Sequence, residues 1–294
     1  MNFEERALGF SCQDTWIYGI VSLPEPPPEH MPKRGVLIVV GGPQYRVGSH
    51  RQFTLIARYL ASHGIPVMRF DYRGMGDSDG DAKTFEDIDV DLRCAIDQFT
   101  QAVPGMEEVV IWGLCDAASA ALFYAYQDQR VTGLVLINPW VRTPEGNAKA
   151  YLKHYYLRRL FDPGLWQKIF RGRFNYAETL RSFASLIGTV FAGRKKSAAS
   201  TSGEITAGRS TGPLPDRMHD GLSRFKGRVL LILCGRDLTA MEFSDMVLGS
   251  DKWQKSLATR EVTRRNLPDA NHTFSQRDWR EQVAAWTADW VRGW

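Results

Sequence analysis

The sequence lacks the features that mark membrane, secreted and metal-dependent proteins. No apolar run approaches the roughly 18 residues of a bilayer span, and residues 1–6 (MNFEER) lack the basic region and apolar stretch of a secretory signal. We therefore expect no integral membrane segment and a cytoplasmic location. His-Glu-x-x-His and Gly-Lys-Ser/Thr motifs are also absent, and we predict neither a metal nor a cofactor.

Cysteine is scarce, with four residues in a chain of 294. None of the four has a neighbour at the short spacing typical of metal ligands. A chain of this length can bury a core without disulfides, so we expect all four to be thiols. They are Cys12, Cys94, Cys115 and Cys234.

The composition is ordinary for a globular protein, with 44% hydrophobic and 24% charged residues. The net charge of +4 is uneven, because residues 140–212 contain 13 Lys or Arg against 4 Asp or Glu. This segment could face an anionic substrate, a membrane surface or an acidic partner. A solvated helical surface explains such a run without any partner and is favoured. No nucleic-acid-binding motif is present, and we expect no nucleic-acid partner.

Short apolar runs alternate with segments of helical periodicity, which predicts an α/β fold with a mostly parallel sheet covered by helices on both faces. The carboxyl ends of such strands share one edge, where ligand sites gather. The predicted strands are residues 3–10, 15–23, 35–41, 65–70, 108–112, 131–137, 228–234 and 260–266. The predicted helices are residues 50–63, 84–100, 116–126, 245–257 and 279–294.

The alternation breaks in the middle of the chain. Residues 1–139 and 228–294 are predicted to form two parts of one core, with residues 140–227 inserted as a helical lid. Residues 192–212, rich in Gly, Ser, Ala and Lys, are predicted to be a flexible loop. The large lid side chains either line an acyl pocket or pack on the core, and both remain open: Tyr151, Tyr155, Tyr156, Leu157, Phe161, Leu165, Trp166, Ile169 and Phe170.

The motif that carries chemistry is residues 111–118 (IWGLCDAA), where a predicted strand turns directly into a helix. A nucleophile elbow has the pattern Gly-x-nucleophile-x-Gly. Gly113 and Ala117 occupy the two small positions, and Cys115 occupies the nucleophile position. A helix N-terminus favours a thiolate, whereas the neighbouring Asp116 opposes it. The alternative is that Cys115 is only a small buried residue in a turn.

An elbow nucleophile requires an acid and then a base later in the chain. Asp237 follows the predicted strand 228–234, with Asp245 as its rival, and His272 follows the last strand in the loop NLPDANHTF. We therefore predict a triad of Cys115, Asp237 and His272. The remaining histidines fit the expected position of the base less well: His30, His50, His63, His154 and His219.

An oxyanion hole requires a second backbone N–H beside that of the residue after the nucleophile, which is Asp116. The loop after strand 35–41 should supply it. Pro43 has no N–H, so Gln44 or Tyr45 must donate, and Gln44 is preferred. Arg46 is a candidate for binding a substrate carboxylate or phosphate, or else a surface charge. Tyr45 beside it is a further substrate-binding candidate.

These motifs resemble the α/β-hydrolase superfamily through the elbow, the Gly41–Gly42 loop and residues 70–78 (FDYRGMGDS). More narrowly, residues 39–50 (VVGGPQYRVGSH) and 113–117 (GLCDA) resemble the exosortase A system-associated hydrolase 1 family. That family is bacterial and accompanies machinery for exopolysaccharide and protein sorting. The resemblance implies a hydrolase with no settled substrate. The cysteine elbow is similar to that of dienelactone hydrolases, which implies ester or lactone hydrolysis.

The sequence thus predicts an enzyme that hydrolyses an ester, thioester or lactone of a small-molecule acyl substrate through an acyl-enzyme. An acyltransferase would share the same first half-reaction. A non-catalytic binding protein on this fold is the rival class, since fold does not fix function. The sequence gives no indication of the oligomeric state.

Overall fold

A computed structural model describes residues 2–25, 32–42, 44–142, 212–259 and 261–294. The chain divides into two compact units, residues 1–141 with 215–294, and residues 142–214. The second unit falls almost entirely outside the described residues. The predicted lid, its large side chains and the predicted flexible loop at 192–212 lie there too, so the lid stays a prediction.

The first unit is built on a sheet of eight strands in the order β1-β2-β4-β3-β5-β6-β7-β8. β1 pairs antiparallel with β2, and β2 pairs antiparallel with β4, whereas β3 to β8 are all parallel to their neighbours. The strands are β1 Asn2–Cys12, β2 Thr15–Glu25, β3 Arg34–Val39, β4 Val67–Phe70, β5 Glu108–Leu114, β6 Val131–Ile137, β7 Arg228–Cys234 and β8 Val262–Leu267.

Seven α-helices of the described part cover this sheet. They are α1 Gln52–Ser62, α2 Asp89–Ala102, α3 Asp116–Tyr124, α4 Leu214–Arg224, α5 Leu238–Leu248, α6 Asp251–Leu257 and α7 Arg277–Arg292. One core cluster joins apolar side chains of α1 and α7 to the central strands. β3, β5 and β6 are buried along almost their whole length, because helices cover parallel strands on both faces. The predicted α/β architecture is confirmed.

Two predicted helices have different bounds in the structure. The helix predicted at 84–100 begins at Asp89, because Thr84 and Asp87 form a turn in which the Thr84 hydroxyl donates to Asp87 Oδ2 at 2.7 Å. The helix predicted at 245–257 is two helices, α5 and α6, separated at Gly249–Ser250. α5 begins earlier because the Asp237 side chain accepts the Thr239 N–H and caps it.

The expectation of four thiols is wrong for two of the cysteines. Cys12 at the end of β1 and Cys94 in α2 form a disulfide, with their Cα atoms 5.9 Å apart. The two residues are 82 positions apart in the sequence, and packing of α2 beside β1 brings them within bonding geometry. Sequence spacing alone contains no information on this proximity.

Candidate active site

The predicted nucleophile lies at a sharp turn between β5 and α3. Cys115 has φ 64° and ψ −125°, a strained backbone conformation for a residue with a side chain and one that functional sites retain. A Cβ on Gly113 would lie 2.6 Å from the Ala117 carbonyl carbon, so only glycine fits there. Cys115 is partly exposed and belongs to no disulfide. Residues 113–117 therefore have the geometry of an elbow.

The structure brings Asp237 and His272 together from the loops that follow β7 and β8. His272 Nδ1 lies 2.7 Å from Asp237 Oδ2, while Asp237 Oδ1 accepts the Thr239 N–H at 3.0 Å. The Asp237 side chain is 4% exposed, and that of His272 is 31% exposed. The buried carboxylate thus fixes the imidazole through Nδ1. Asp245, the rival acid, lies further along α5.

The elbow and the histidine loop converge at the same edge of the sheet. Burial raises the pKa of the Asp116 carboxyl, while N–H groups of Gly42, Ala117 and Asp116 itself, together with the charge of His272, lower it. Burial also raises the pKa of Tyr72 to about 12, with the charge of Asp116 adding to the shift. His272 and Tyr72 therefore each lie within electrostatic reach of Asp116 at the elbow.

The loop after β3 is held by two carboxylates. The Gly42 N–H donates to both oxygens of Asp116, at 2.7 and 2.9 Å. The Arg46 N–H donates to Asp71 Oδ1 at 2.6 Å. The Gln44 side chain accepts the Ser49 N–H at 3.0 Å and so turns back onto its own loop.

The two predicted substrate-binding residues have different environments. The Arg46 guanidinium donates to Asp71 and to Asp77, so carboxylates of the protein already occupy it. This arrangement favours a structural role for Arg46 as a tie between two loops. Tyr45 is 48% exposed, which leaves its ring available to a ligand. Neither predicted substrate contact is tested by this geometry, and both stay predictions.

Two of the other described histidines, His63 and His219, have local partners. His63 Nδ1 contacts the Tyr59 carbonyl at 2.7 Å, and His219 contacts the Ser256 hydroxyl at 3.0 Å. His50 lies in the 3-10 turn Ser49–Arg51 with a positive φ. His30 and His154 lie outside the described residues. Among the described histidines, an ion-pair contact with a carboxylate is found at His272 alone.

The second thiol of the core differs from the one at the elbow. Cys234 is buried at the end of β7. Burial raises its pKa to about 12, with the charge of Asp237 adding to the shift against a hydrogen bond from Asn138. Cys234 is therefore a structural thiol, because a thiol must ionise to react.

Sequence reasoning missed the side chains of Asp116 and Asp71. From the sequence, Asp116 is predicted to contribute its backbone N–H and a charge beside Cys115, and no role is predicted for Asp71. Asp71 directly follows the predicted strand 65–70, and Asp116 begins the predicted helix 116–126, but which N–H groups they bind depends on loop geometry. Within the described ranges, no group of three His, Cys, Asp or Glu side chains is placed to hold a metal. Nor does any helix in those ranges have the length and apolar character of a membrane span.

The fold is similar to that of solved hydrolases. An esterase of Pyrococcus furiosus superposes with a TM-score of 0.63 at 15% identity, covering 99% of this chain and 93% of the esterase. At this identity the similarity concerns the fold alone.

Two curated fungal proteins match part of the sequence. A polyketide transferase from a Penicillium species is 30% identical over 94 residues, which cover 29% of this chain and 31% of that protein. An acyltransferase from Aspergillus calidoustus is 28% identical over 116 residues, which cover 37% and 36%. The chain spans about a third of the length of these relatives.

The family model covers far more of the chain than these pairwise matches do. A model described as "Alpha/beta hydrolase family" matches residues 36–286, a range that runs from β3 into α7 and includes the elbow, Asp237 and His272. The chain therefore belongs to the alpha/beta hydrolase family.

Proposed function

We propose that the chain hydrolyses an ester, thioester or lactone through a covalent acyl-enzyme on Cys115. The observation that carries this proposal is the contact of His272 with the buried Asp237 carboxylate, with Nδ1 and Oδ2 at 2.7 Å, at the same sheet edge as the strained Cys115 turn. Because Nδ1 faces the carboxylate, Nε2 is the nitrogen left to exchange a proton with the nucleophile.

The first half-reaction forms the acyl-enzyme. The Cys115 sulfur attacks the substrate carbonyl, its proton passes to His272 Nε2, and a tetrahedral oxyanion forms. The bond to the leaving group then breaks, and the leaving group takes the proton from His272. Asp237 holds the imidazole and stabilises its charged form. The backbone N–H of Asp116 and that of Gln44 are the proposed oxyanion donors, and Tyr45 is the proposed substrate contact.

The second half-reaction releases the acyl group. His272 takes a proton from water, the resulting hydroxide attacks the thioester carbonyl, and the bond to Cys115 breaks with return of the proton to sulfur. The products are the free carboxylic acid and the regenerated thiol.

Thiol chemistry provides a first test of this assignment. Cys234 is buried with a pKa raised to about 12, and Cys12 and Cys94 are joined in a disulfide. We therefore expect iodoacetamide to label Cys115 selectively in the folded protein, with loss of turnover of p-nitrophenyl esters and acyl thioesters. Turnover that survives complete labelling of Cys115 would count against this residue as the nucleophile. Absence of both turnover and selective labelling of Cys115 would favour a binding protein on this fold.

Acyl transfer is the second candidate, and the names of the two curated relatives, a polyketide transferase and an acyltransferase, support it. A hydroxyl acceptor would replace water in the second half-reaction. The test is product analysis with a graded series of alcohol and sugar acceptors. An acylated acceptor that grows with acceptor concentration supports transfer, whereas free acid alone at every concentration supports hydrolysis.

The resemblance of residues 39–50 and 113–117 to exosortase-associated hydrolases extends the proposal to a substrate from bacterial envelope polysaccharide systems. A cytoplasmic location is part of the proposal, and the Cys12–Cys94 disulfide counts against it, because disulfides are more typical of oxidising compartments. Comparing turnover of acylated saccharides with that of simple esters of the same chain length tests the substrate class.

A further inference from the structure

The side chain directly after the nucleophile is committed to the loop that follows β3. Both Asp116 oxygens accept the Gly42 N–H, at 2.7 and 2.9 Å, although the two residues are 74 positions apart in the sequence. The neighbouring Gly41 lies so close that an added Cβ would be 2.4 Å from Asp116 Oδ1 and 2.5 Å from the Leu114 carbonyl oxygen. The loop therefore rests directly on the elbow, with the Asp116 carboxylate at the contact.

This contact determines which N–H groups of the loop remain for an oxyanion. The Gly42 N–H donates to Asp116, Pro43 has none, and the Arg46 N–H donates to Asp71 at 2.6 Å. Within the described part of the chain, no hydrogen bond engages the N–H of Gln44 or Tyr45. Gln44 and Tyr45 therefore keep N–H groups that can donate to an oxyanion. The loop is held on either side of them by the contacts at Gly42 and Arg46.

We propose that Asp116 is a positioning residue, whose carboxylate fixes the Gly41–Gly42 segment on the elbow and thereby places the N–H groups of Gln44 and Tyr45 for the oxyanion of the acylation step. The inference rests on the proposed function. It assigns to Asp116 a role beyond its backbone N–H, and it also explains why Gly42 is not itself the second oxyanion donor.

The electrostatic environment agrees with a role as an acceptor. Burial raises the pKa of the Asp116 carboxyl, and the surrounding N–H groups of Gly42 and Ala117 act against this shift. The described residues place no Lys or Arg in an ion pair with Asp116. The carboxylate is therefore held by backbone N–H groups that it orients in return. An asparagine can provide one such acceptor without the charge.

The test compares Asp116→Ala with Asp116→Asn and follows two reactions of Cys115. Acylation by a p-nitrophenyl ester develops an oxyanion, whereas alkylation by iodoacetamide does not. We expect Asp116→Ala to slow acylation roughly 10- to 100-fold through kcat with little change in KM. Alkylation should not slow, because removing a neighbouring negative charge does not disfavour the thiolate. Asp116→Asn should keep most of the acylation rate, since its amide oxygen still accepts the Gly42 N–H.

Asp97→Ala is the control, because it removes an exposed carboxylate whose partner is Arg130 and not a group of the loop after β3, and we expect it to acylate like wild type. Thermal unfolding of each variant checks that the comparison concerns folded protein. Acylation of Asp116→Ala at the wild-type rate would overturn the inference, as would equal slowing of acylation and alkylation, or an Asn variant as slow as the Ala variant. If wild type forms no acyl-enzyme while its Cys115 still alkylates, the proposed function fails and the inference fails with it.

Discussion

The two ends of helix α3 hold carboxylates in opposite electrostatic states. At the N-terminal end, burial raises the pKa of Asp116, and its partners are backbone N–H groups, among them that of Gly42. Beyond the C-terminal end, burial also acts on Asp128, but hydrogen bonds from Arg130 and Tyr124 outweigh it and lower the pKa to about 2.

The difference separates a carboxylate that stabilises the fold from one that we propose positions a loop at the candidate site. Hydrogen bonds from Arg130 and Tyr124 favour the charged form of Asp128, so ionisation of Asp128 favours the folded state. Asp116 has no ion-pair partner among the described Lys and Arg residues and lies next to the strained backbone of Cys115, the proposed nucleophile. A buried carboxylate without a cationic partner lowers the stability of the folded state, and such groups are expected at active sites.

The largest expected effect is loss of activity at the N-terminal end without loss of stability. His272→Ala should lower kcat for an activated ester by roughly 10³-fold or more, because the base of a triad is removed. Its side chain is 31% exposed, so thermal unfolding should change little. His219→Ala is the matched control, since that histidine contacts Ser256 and no carboxylate. Turnover by His272→Ala within a few-fold of wild type would contradict the proposal that the N-terminal end of α3 belongs to an active site with His272 as its base.

The next effect is loss of stability at the C-terminal end without loss of activity. A pKa lowered from 3.8 to about 2 corresponds to about 2 kcal/mol of unfolding free energy at neutral pH. Asp128→Asn should lose about that amount in urea unfolding, while kcat of the folded enzyme stays unchanged. The Asp128 side chain is 6% exposed, so little screening by solvent is expected.

The pH dependence sharpens this prediction. The stability contributed by a lowered pKa is complete above the ordinary value of 3.8 and disappears as pH falls towards about 2. The gap between wild type and Asp128→Asn should therefore close over that range. Asp97→Asn is the control, because Asp97 pairs with the same Arg130 but is 52% exposed, and we expect it to cost less than about 1 kcal/mol. Equal losses in both variants would contradict the account of Asp128.

The smallest effect concerns the pH dependence of stability at Asp116. Because its folded-state pKa is raised, the folded protein binds this proton more tightly than the unfolded chain, and stability falls as pH rises through the window above the ordinary aspartate value. Asp116→Asn does not titrate there. Its stability relative to wild type should therefore increase from acid to neutral pH, as measured by urea unfolding at a series of pH values. A difference that stays constant with pH would mean that burial does not raise the pKa of Asp116.

The sequence was most informative where burial on both faces leaves a continuous apolar run. This pattern predicts β5, β6 and β7, and it predicts β6 and β7 with their observed bounds. Helix boundaries were less predictable, since the start of α2 depends on a turn closed by the Thr84 hydroxyl. The Cys12–Cys94 disulfide depends on how α2 packs beside β1, which local sequence does not encode.

The same distinction applies to the site. The order of nucleophile, acid and base along the chain allowed Cys115, Asp237 and His272 to be proposed, and the structure brings the last two into contact. The sequence does not distinguish a structural Arg46 from one that binds a ligand. Its pairing with Asp71 and Asp77 joins two loops, and this contact is visible only in the folded protein. The Asp116–Gly42 contact likewise joins elements far apart in the chain.

The central claim is a covalent acyl-enzyme on Cys115, and the most direct measurement is intact-mass spectrometry of the protein mixed rapidly with p-nitrophenyl esters and acyl thioesters. The account predicts a transient mass increase equal to the acyl group, located by peptide mapping on the peptide that contains Cys115, absent in Cys115→Ala and slowed in His272→Ala. Turnover by Cys115→Ala, or an adduct of wild type that maps to another residue, would contradict it.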